Sequence, residues 1–168
     1  DGIKFFVMNV EAFSTPRGAQ TAGRFLVQNP NNMMAVDEST TIKNRKASRT
    51  KNLMVLHKYA KYRRILTGSP ITKSPMDLFS QCNFLAEKAL GFNSYFAFQN
   101  RYAMVQKRVM GAKSFQEITG YRRLDELSEK LDVFSTRILK EECLDLPQKI
   151  YMKRMVPLSD EQQKVYDQ

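Results

Sequence analysis

The sequence predicts an α/β fold in which helices flank a parallel sheet, and three observations carry this prediction. Two short runs, MMAV at 33–36 and YRRIL at 62–66, each break into a polar loop. A stretch with helical spacing, residues 47–59, lies between them. Such runs are typical of strands buried on both faces of a parallel sheet. Because ligands of open α/β sheets gather at the carboxyl ends of the strands, we expect the two loops to form a site.

The other elements of the first half are predicted in chain order. Residues 2–10 (GIKFFVMNV) are rich in aromatic and branched side chains, so we expect a buried strand there. Turn residues at 14–18 precede a predicted helix over 19–28. A further helix is predicted over 75–85, because Ser74-Pro75 is a typical helix start and four apolar residues follow at helical spacing. Those four residues are Leu78, Phe79, Cys82 and Leu85.

The second half begins with a predicted helical insertion over residues 91–131, which includes an amphipathic helix at 121–131. Strands are expected at 133–139 and 149–156, followed by a final helix from Ser159. Aromatic side chains in the insertion could stack on bases, but helical spacing favours a core role for them. These aromatic residues are Phe92, Tyr95, Phe96, Phe98 and Tyr102.

Composition limits the classes of protein. A chain of 168 residues with 42% hydrophobic residues can form one domain with a substantial core. Cys82 and Cys143 are too few for a disulfide framework, and no Cys/His cluster has metal-ligand spacing. The single histidine, His57, is interpreted as a packing or surface residue. The low cysteine count makes a reducing, intracellular setting the default expectation. Since no run approaches the roughly 18 apolar residues of a membrane span, we expect no membrane partner.

Positive charge is concentrated in one part of the chain, whose net charge is +10. Residues 39–76 contain no Asp or Glu. A basic stretch of this kind is often only a solvated surface. Directly after the Asp37-Glu38 carboxylate pair, however, it favours a polyanionic partner, because phosphate contacts need clustered cations. We interpret Lys43, Arg45, Lys46 and Arg49 as candidate nucleic-acid contacts. The other cations of this stretch are Lys51, Lys58, Lys61, Arg63, Arg64 and Lys73.

Two sequence motifs resemble those of a known family of motors. MAVDESTTIKN, residues 34–44, resembles motif II, the Walker B Asp-Glu box, of helicase superfamily 2. RRILTGSPI at 63–71, with DLFSQCNFL after it, resembles motif III and its following helix in Swi/Snf-type DNA translocases. Residues 136–166 resemble the passage that leads out of the first motor lobe. The resemblance implies a partial RecA-like sheet and an ATP-dependent DNA translocase or helicase.

The resemblance also implies roles for individual residues. Asp37 would hold the Mg²⁺ of a bound ATP, and Glu38 would be the catalytic base that activates water. Thr67, Gly68 and Ser69 of motif III would couple the nucleotide state to the nucleic acid. We therefore expect these two groups at the ends of adjacent parallel strands, within hydrogen-bonding distance.

The nucleotide-binding P-loop is not found in this sequence, since no glycine is followed by lysine. We therefore expect the chain to be a fragment: residues 1–140 as the later half of the first lobe, and 141–168 as a linker and the start of the second lobe. Its partners would be duplex DNA, an upstream half with the P-loop and a downstream lobe. ATP and Mg²⁺ would serve the intact protein, whereas the fragment would bind neither tightly and would be inactive.

Two other interpretations remain open at this point. The chain could be a basic nucleic-acid-binding module without ATPase activity, in which the Asp37-Glu38 pair is only a turn. It could also be an interaction domain that uses residues 91–131 to bind a protein partner.

Overall fold

The computed structural model describes residues 2–111, 113–143, 145, 147 and 150–167. It divides into two compact units, Asp1–Ser135 and Thr136–Gln168. The larger unit contains helices α1 (Pro16–Gln28), α2 (Ser48–Leu56), α3 (Leu78–Leu85), α4 (Tyr95–Tyr102) and α5 (Leu124–Asp132), and strands β1 (Met33–Val36), β2 (Tyr62–Ile65), β3 (Ala103–Met110) and β4 (Lys113–Tyr121). Short 3₁₀ helices lie at Val10–Ser14, Ser39–Ile42, His57–Tyr59 and Pro75–Asp77. This architecture confirms the predicted α/β class.

Strands β1 and β2 form the predicted parallel pair, but the expectation that both of their faces are buried is wrong. Exposed residues alternate with more buried ones along each strand. Met33 lies opposite Tyr62 and Val36 opposite Ile65. Helix α2 lies between them in the chain, as a parallel connection requires. The carboxyl ends of both strands therefore meet at one edge, which is where the two motif loops begin.

Helix α1 begins three residues earlier than the sequence predicts, at Pro16, because Thr15 caps it. The Thr15 hydroxyl accepts a hydrogen bond from the Gly18 amide at 3.2 Å, and proline is well suited to the first helical position. Gly18 is needed here for space. A Cβ at this position would lie 2.1 Å from the carbonyl oxygen of Ala12, so the preceding 3₁₀ helix can approach α1 only at a glycine.

A first hydrophobic cluster packs the helices against the parallel strands. It is formed by Phe13, Ala22, Leu26, Val36, Ile42, Leu53, Leu56, Ala60 and Phe84. His57 is buried beside it, with Nδ1 3.0 Å from the carbonyl oxygen of Phe84. This position confirms the packing interpretation of the histidine.

A second, aromatic cluster lies where α3, α4 and α5 meet. Phe98 and Tyr102 are fully buried, and their ring centroids are 5.1 Å apart in an edge-on arrangement. Phe92 packs edge-on against both. The core interpretation of the aromatic residues is therefore confirmed, except that Phe96 is 60% exposed.

The predicted strand at residues 2–10 is wrong. Residues 2–9 have no regular secondary structure, and the side chains of Ile3, Phe5 and Val7 are exposed. Aromatic and branched residues favour a strand only where another strand can satisfy their backbone groups. In the part of the chain that the structure describes, β1 and β2 pair only with each other.

The predicted insertion at 91–131 is not wholly helical. Strands β3 and β4 form an antiparallel hairpin between α4 and α5, with Gly111 at φ 60° in its turn. The branched and aromatic residues of this hairpin pair with close neighbours in sequence, which a search for helical periodicity does not detect. Helix α5 begins at Leu124 rather than at 121, since Tyr121 is the last residue of β4.

The smaller unit contains helices α6 (Lys140–Cys143) and α7 (Asp160–Tyr166). Helix α7 begins as the sequence predicts, with a capping box between Ser159 and Gln162. The strand predictions are wrong for the described residues of 133–139 and 150–156, which lack strand pairing; Lys149 lies outside the described residues. In the described part of the chain, no helix has the length and apolar composition needed to cross a membrane.

Candidate functional site

The two motif loops are joined directly where β1 and β2 end. The Leu66 amide donates a hydrogen bond to the Val36 carbonyl at 3.0 Å, and the Ser39 amide donates to the Leu66 carbonyl at 2.9 Å. These two bonds continue the parallel ladder one step beyond the strands. The loop that follows β1 is therefore attached by its backbone to the loop that follows β2.

Asp37 and Glu38 are both exposed at this edge. The Asp37 carboxylate accepts a hydrogen bond from the Glu38 amide at 2.9 Å. Glu38 has φ 48° and ψ 56°, a left-handed conformation that is unusual for a residue with a side chain. The backbone thus turns sharply at Glu38 into the 3₁₀ helix that follows, and both carboxylates stay open to a ligand.

Thr67 is half-buried at the start of the second loop, and Gly68 and Ser69 are exposed. The Thr67 hydroxyl accepts a hydrogen bond from the Ser69 amide at 3.2 Å, and the Ser69 hydroxyl donates to the Ile71 carbonyl at 3.0 Å. A side chain at Gly68 would meet no atom within 4 Å, so this part of the loop is open. The prediction that Asp37 and Glu38 bond to Thr67–Ser69 is therefore wrong for the described residues. The two loops are bonded instead through the backbones of Ser39 and Leu66.

Gln81 is part of the site, although neither sequence motif assigns a role to it. Its Oε1 accepts a hydrogen bond from the Ser39 hydroxyl at 2.7 Å. Its Nε2 donates to the carbonyls of Pro70 at 2.8 Å and Asp77 at 2.9 Å. Ser39 and Gln81 are both fully buried. The sequence contains one signal for this position, a glutamine on the apolar face of α3, since Gln81 lies three residues after Leu78.

Asp77 holds the far end of the second loop. Its carboxylate accepts hydrogen bonds from the Thr72 amide, the Thr72 hydroxyl and the Lys73 amide, at 3.2, 2.9 and 3.1 Å. Burial raises the pKa of this carboxyl, but the hydrogen bonds from Lys73 and Thr72 and the charge of Lys43 outweigh it. The pKa of Asp77 is therefore lowered, and the residue stabilises the loop as a carboxylate.

Of the four predicted nucleic-acid contacts, Lys43 and Arg49 have ionic partners within the chain. The Lys43 ammonium contacts the Thr72 hydroxyl and lies 3.9 Å from Asp77. The Arg49 guanidinium makes two bonds of 2.7 Å to the Glu11 carboxylate. Both cations therefore help to hold neighbouring loops in place.

The other two predicted contacts differ from each other. The guanidinium of Arg45 lies 4.3 Å from the centroid of the Tyr95 ring and 5.5 Å from that of Phe96, which is the geometry of a cation–π contact. Lys46 is exposed. The basic loop therefore presents Lys46 to solvent and packs Arg45 on the aromatic helix α4.

The sequence of this chain is similar to those of known proteins. A family profile described as the SNF2-related domain matches residues 19–168. The DNA annealing helicase and endonuclease ZRANB3 of Bos taurus is 34% identical over 119 residues, 70% of this chain and 11% of that protein. The TATA-binding protein-associated factor mot1 of Schizosaccharomyces pombe is 33% identical over 137 residues, 80% of this chain and 7% of that protein. No solved structure matches the chain significantly.

The family match includes both motif loops and the helix that carries Gln81. The chain spans only 7% to 11% of the length of these relatives, so the similarity concerns one segment of much longer proteins. The match nevertheless covers most of this chain. The chain therefore belongs to the SNF2-related domain family.

Proposed function

We propose that this chain is the part of the first motor lobe that carries motifs II and III in an ATP-dependent DNA translocase or helicase. One observation carries the proposal: the Asp37-Glu38 pair and the Thr67–Ser69 loop follow two parallel strands that end side by side. Ligands of α/β sheets bind at this edge. The name of ZRANB3, a DNA annealing helicase, supports DNA as the partner.

Asp37 fits the metal role that the family implies. In the described residues, no group of three or more His, Cys, Asp or Glu side chains could hold a metal. At nucleotide sites Mg²⁺ is bound by one or two carboxylates together with phosphates and waters. Exposed Asp37 supplies one such carboxylate, and the ion would neutralise charge on the phosphates when ATP is bound.

Glu38 is proposed to be the general base. Its carboxylate is adjacent to Asp37 and open to solvent, so it can accept the proton of a water that attacks the terminal phosphate. General-base catalysis typically contributes roughly 10²–10⁴ in rate.

Thr67, Gly68 and Ser69 are proposed to couple the nucleotide state to the nucleic acid. Support comes from the bond between Ser39 and Leu66, which joins the loop after β1 to the residue directly before Thr67. A Thr67→Ala variant should bind nucleotide normally but lose part of the stimulation of hydrolysis by DNA.

The nucleic-acid contacts are proposed to come from the basic loop that follows Glu38. Lys46 is exposed and ready to bind phosphate. Arg49 is paired with Glu11, whose side chain is 60% exposed, and such surface pairs contribute only about 0–1 kcal/mol. The Nη1 group of Arg49 can therefore exchange Glu11 for a phosphate, while Nε stays bonded to the Thr41 carbonyl at 2.8 Å. Lys43 and Arg45 complete the proposed set.

The P-loop and the second lobe are proposed to lie elsewhere in the intact protein. Without a P-loop the isolated chain cannot hold the β- and γ-phosphates in place. We therefore expect it to bind ATP weakly and to show no hydrolysis above background.

The deciding experiment is the steady-state ATPase activity of the intact protein with saturating DNA. Glu38→Gln should retain nucleotide binding and abolish turnover, because it removes the base but keeps the shape. Glu129→Gln, the same change at an exposed glutamate of α5, is the matched control and should turn over normally. A Glu38→Gln variant with parental turnover would refute the proposed function.

A further inference from the structure

We propose that Gln81 is a positioning residue for the Glu38 carboxylate and that it links this carboxylate to the position of the second motif loop. The inference rests on the proposed role of Glu38 as general base. Gln81 itself touches neither Asp37 nor Glu38 in the described hydrogen-bond network; it acts through Ser39, the residue that follows Glu38.

The orientation of the Gln81 amide follows from its partners. Two backbone carbonyls, those of Pro70 and Asp77, lie 2.8 and 2.9 Å from Nε2. Carbonyls only accept hydrogen bonds, so the NH₂ group must face them and Oε1 must face the Ser39 hydroxyl. All the polar groups of this side chain are thus used in a fully buried position. One side chain thereby bonds to the loop after β1 and to the loop after β2.

This network restrains the backbone of Glu38 from its carboxyl side. The Ser39 amide is bonded to Leu66 at 2.9 Å, and the Ser39 hydroxyl to Gln81 at 2.7 Å. From the amino side, the Glu38 amide is bonded to Asp37 at 2.9 Å. Glu38 lies between these two anchors in a left-handed conformation, which persists only where the surroundings impose it. Loss of the Gln81 bond would let Glu38 relax and displace its carboxylate.

The same network explains how the second loop could affect catalysis. Pro70 follows Thr67–Ser69 directly and is bonded to Gln81. A movement of this loop on DNA binding would pull on Gln81 and, through Ser39, on Glu38. The backbone bond between Ser39 and Leu66 does not involve the portion of the loop beyond Leu66, so Gln81 supplies a link that the backbone lacks.

The first test is Gln81→Leu in the intact protein, measured as kcat and KM for ATP with saturating DNA. A misplacement of about 1 Å can cost 10²-fold in rate, so we expect kcat to fall by about 10- to 100-fold. KM should change little, because Gln81 is not placed to touch the phosphates. The stimulation of hydrolysis by DNA should fall as well.

The matched control is Asn32→Ala, at the opposite end of β1. Asn32 is also a buried amide, and its Nδ2 donates to the carbonyls of Leu26, Asn29 and Tyr59. The control should lower the melting temperature by about as much as Gln81→Leu but leave kcat within about twofold. Equal kcat values for the two variants would show that Gln81 has only a structural role.

A double variant tests the proposed route through Ser39. Ser39→Ala removes the hydroxyl that Gln81 holds and should lower kcat in the same manner. If Gln81 acts through Ser39, the double variant should be no slower than the slower single variant, because interacting residues are not additive. Multiplied effects would overturn the proposed route. Should Gln81→Leu fail to fold, the smaller change Ser39→Ala alone decides: normal kcat and normal DNA stimulation would overturn the inference.

Glu38→Gln separates failure of this inference from failure of the proposed function. If Glu38→Gln turns over like the parent, Glu38 is not the base and the proposed function itself is wrong. If Glu38→Gln is inactive while Gln81→Leu keeps the kcat of the Asn32→Ala control, only the positioning role is wrong.

Discussion

Glu38 should be a position at which glycine is more stable than alanine. Its φ of 48° is left-handed, a conformation that costs a residue with a Cβ roughly 1–2 kcal/mol. Glycine avoids this cost, but its greater freedom in the unfolded chain offsets roughly 0.5–1 kcal/mol of the gain. The free energy of unfolding of Glu38→Gly should therefore exceed that of Glu38→Ala by roughly 0–1.5 kcal/mol.

Equilibrium urea unfolding of the 168-residue chain measures this difference. Lys51, exposed within α2 (Ser48–Leu56), is the control position. In a helix interior alanine is favoured over glycine by about 1 kcal/mol, so the order of the two variants should reverse between the sites. In the intact protein, both Glu38 variants should have lost ATP turnover, because each lacks the carboxylate.

A Glu38→Gly variant that is less stable than Glu38→Ala would refute this prediction, since the left-handed backbone would then carry no cost. The expected reversal of order between Glu38 and Lys51 would instead show that the Glu38 carboxylate is held in place at the expense of stability. Such strain is typical of functional sites.

Three further predictions concern charge and burial. Lys46→Glu in the intact protein should weaken duplex DNA binding and flatten the dependence of log K on log salt by about one unit or more; binding that is insensitive to salt would contradict the nucleic-acid role. Asp77→Asn should lower the free energy of unfolding by about 2 kcal/mol at pH 7, since hydrogen bonds to a charged group are lost. Because the pKa of Asp77 is lowered in the folded state, its carboxylate stabilises the fold above the unfolded-state pKa, and this stabilisation is lost as the pH falls through the folded-state pKa. Urea unfolding should therefore separate parent and variant less at pH 3 than at pH 7. Burial raises the pKa of the Cys82 thiol to about 12, whereas Cys143 is exposed; a disulfide reagent should label Cys143 quickly and Cys82 only after unfolding, and fast labelling of both would contradict the burial of α3.

Local sequence patterns were sufficient for the central βαβ unit and for the position of the candidate site. Residues 33–36 form β1 and residues 62–65 form β2, because each is a short strand-like segment that ends at turn-forming polar residues. The 3₁₀ helix Pro75–Asp77, which Ser74 caps, and helix α3 directly after it are also local features. Since parallel strands joined by a helix must end at the same edge, the meeting of the two loops followed from the order of these elements alone.

The tertiary structure decided what depends on partners distant in sequence. Residues 2–9 have a strand-like composition but do not form a strand, because pairing requires a neighbouring strand and composition does not specify one. The residues at 103–121 form a hairpin because the chain can fold back at Gly111. Periodicity indicates which face of a helix is buried but does not identify the groups that face it. The bonds from Gln81 to Ser39 and Pro70, 42 and 11 residues away in sequence, therefore became visible only in three dimensions.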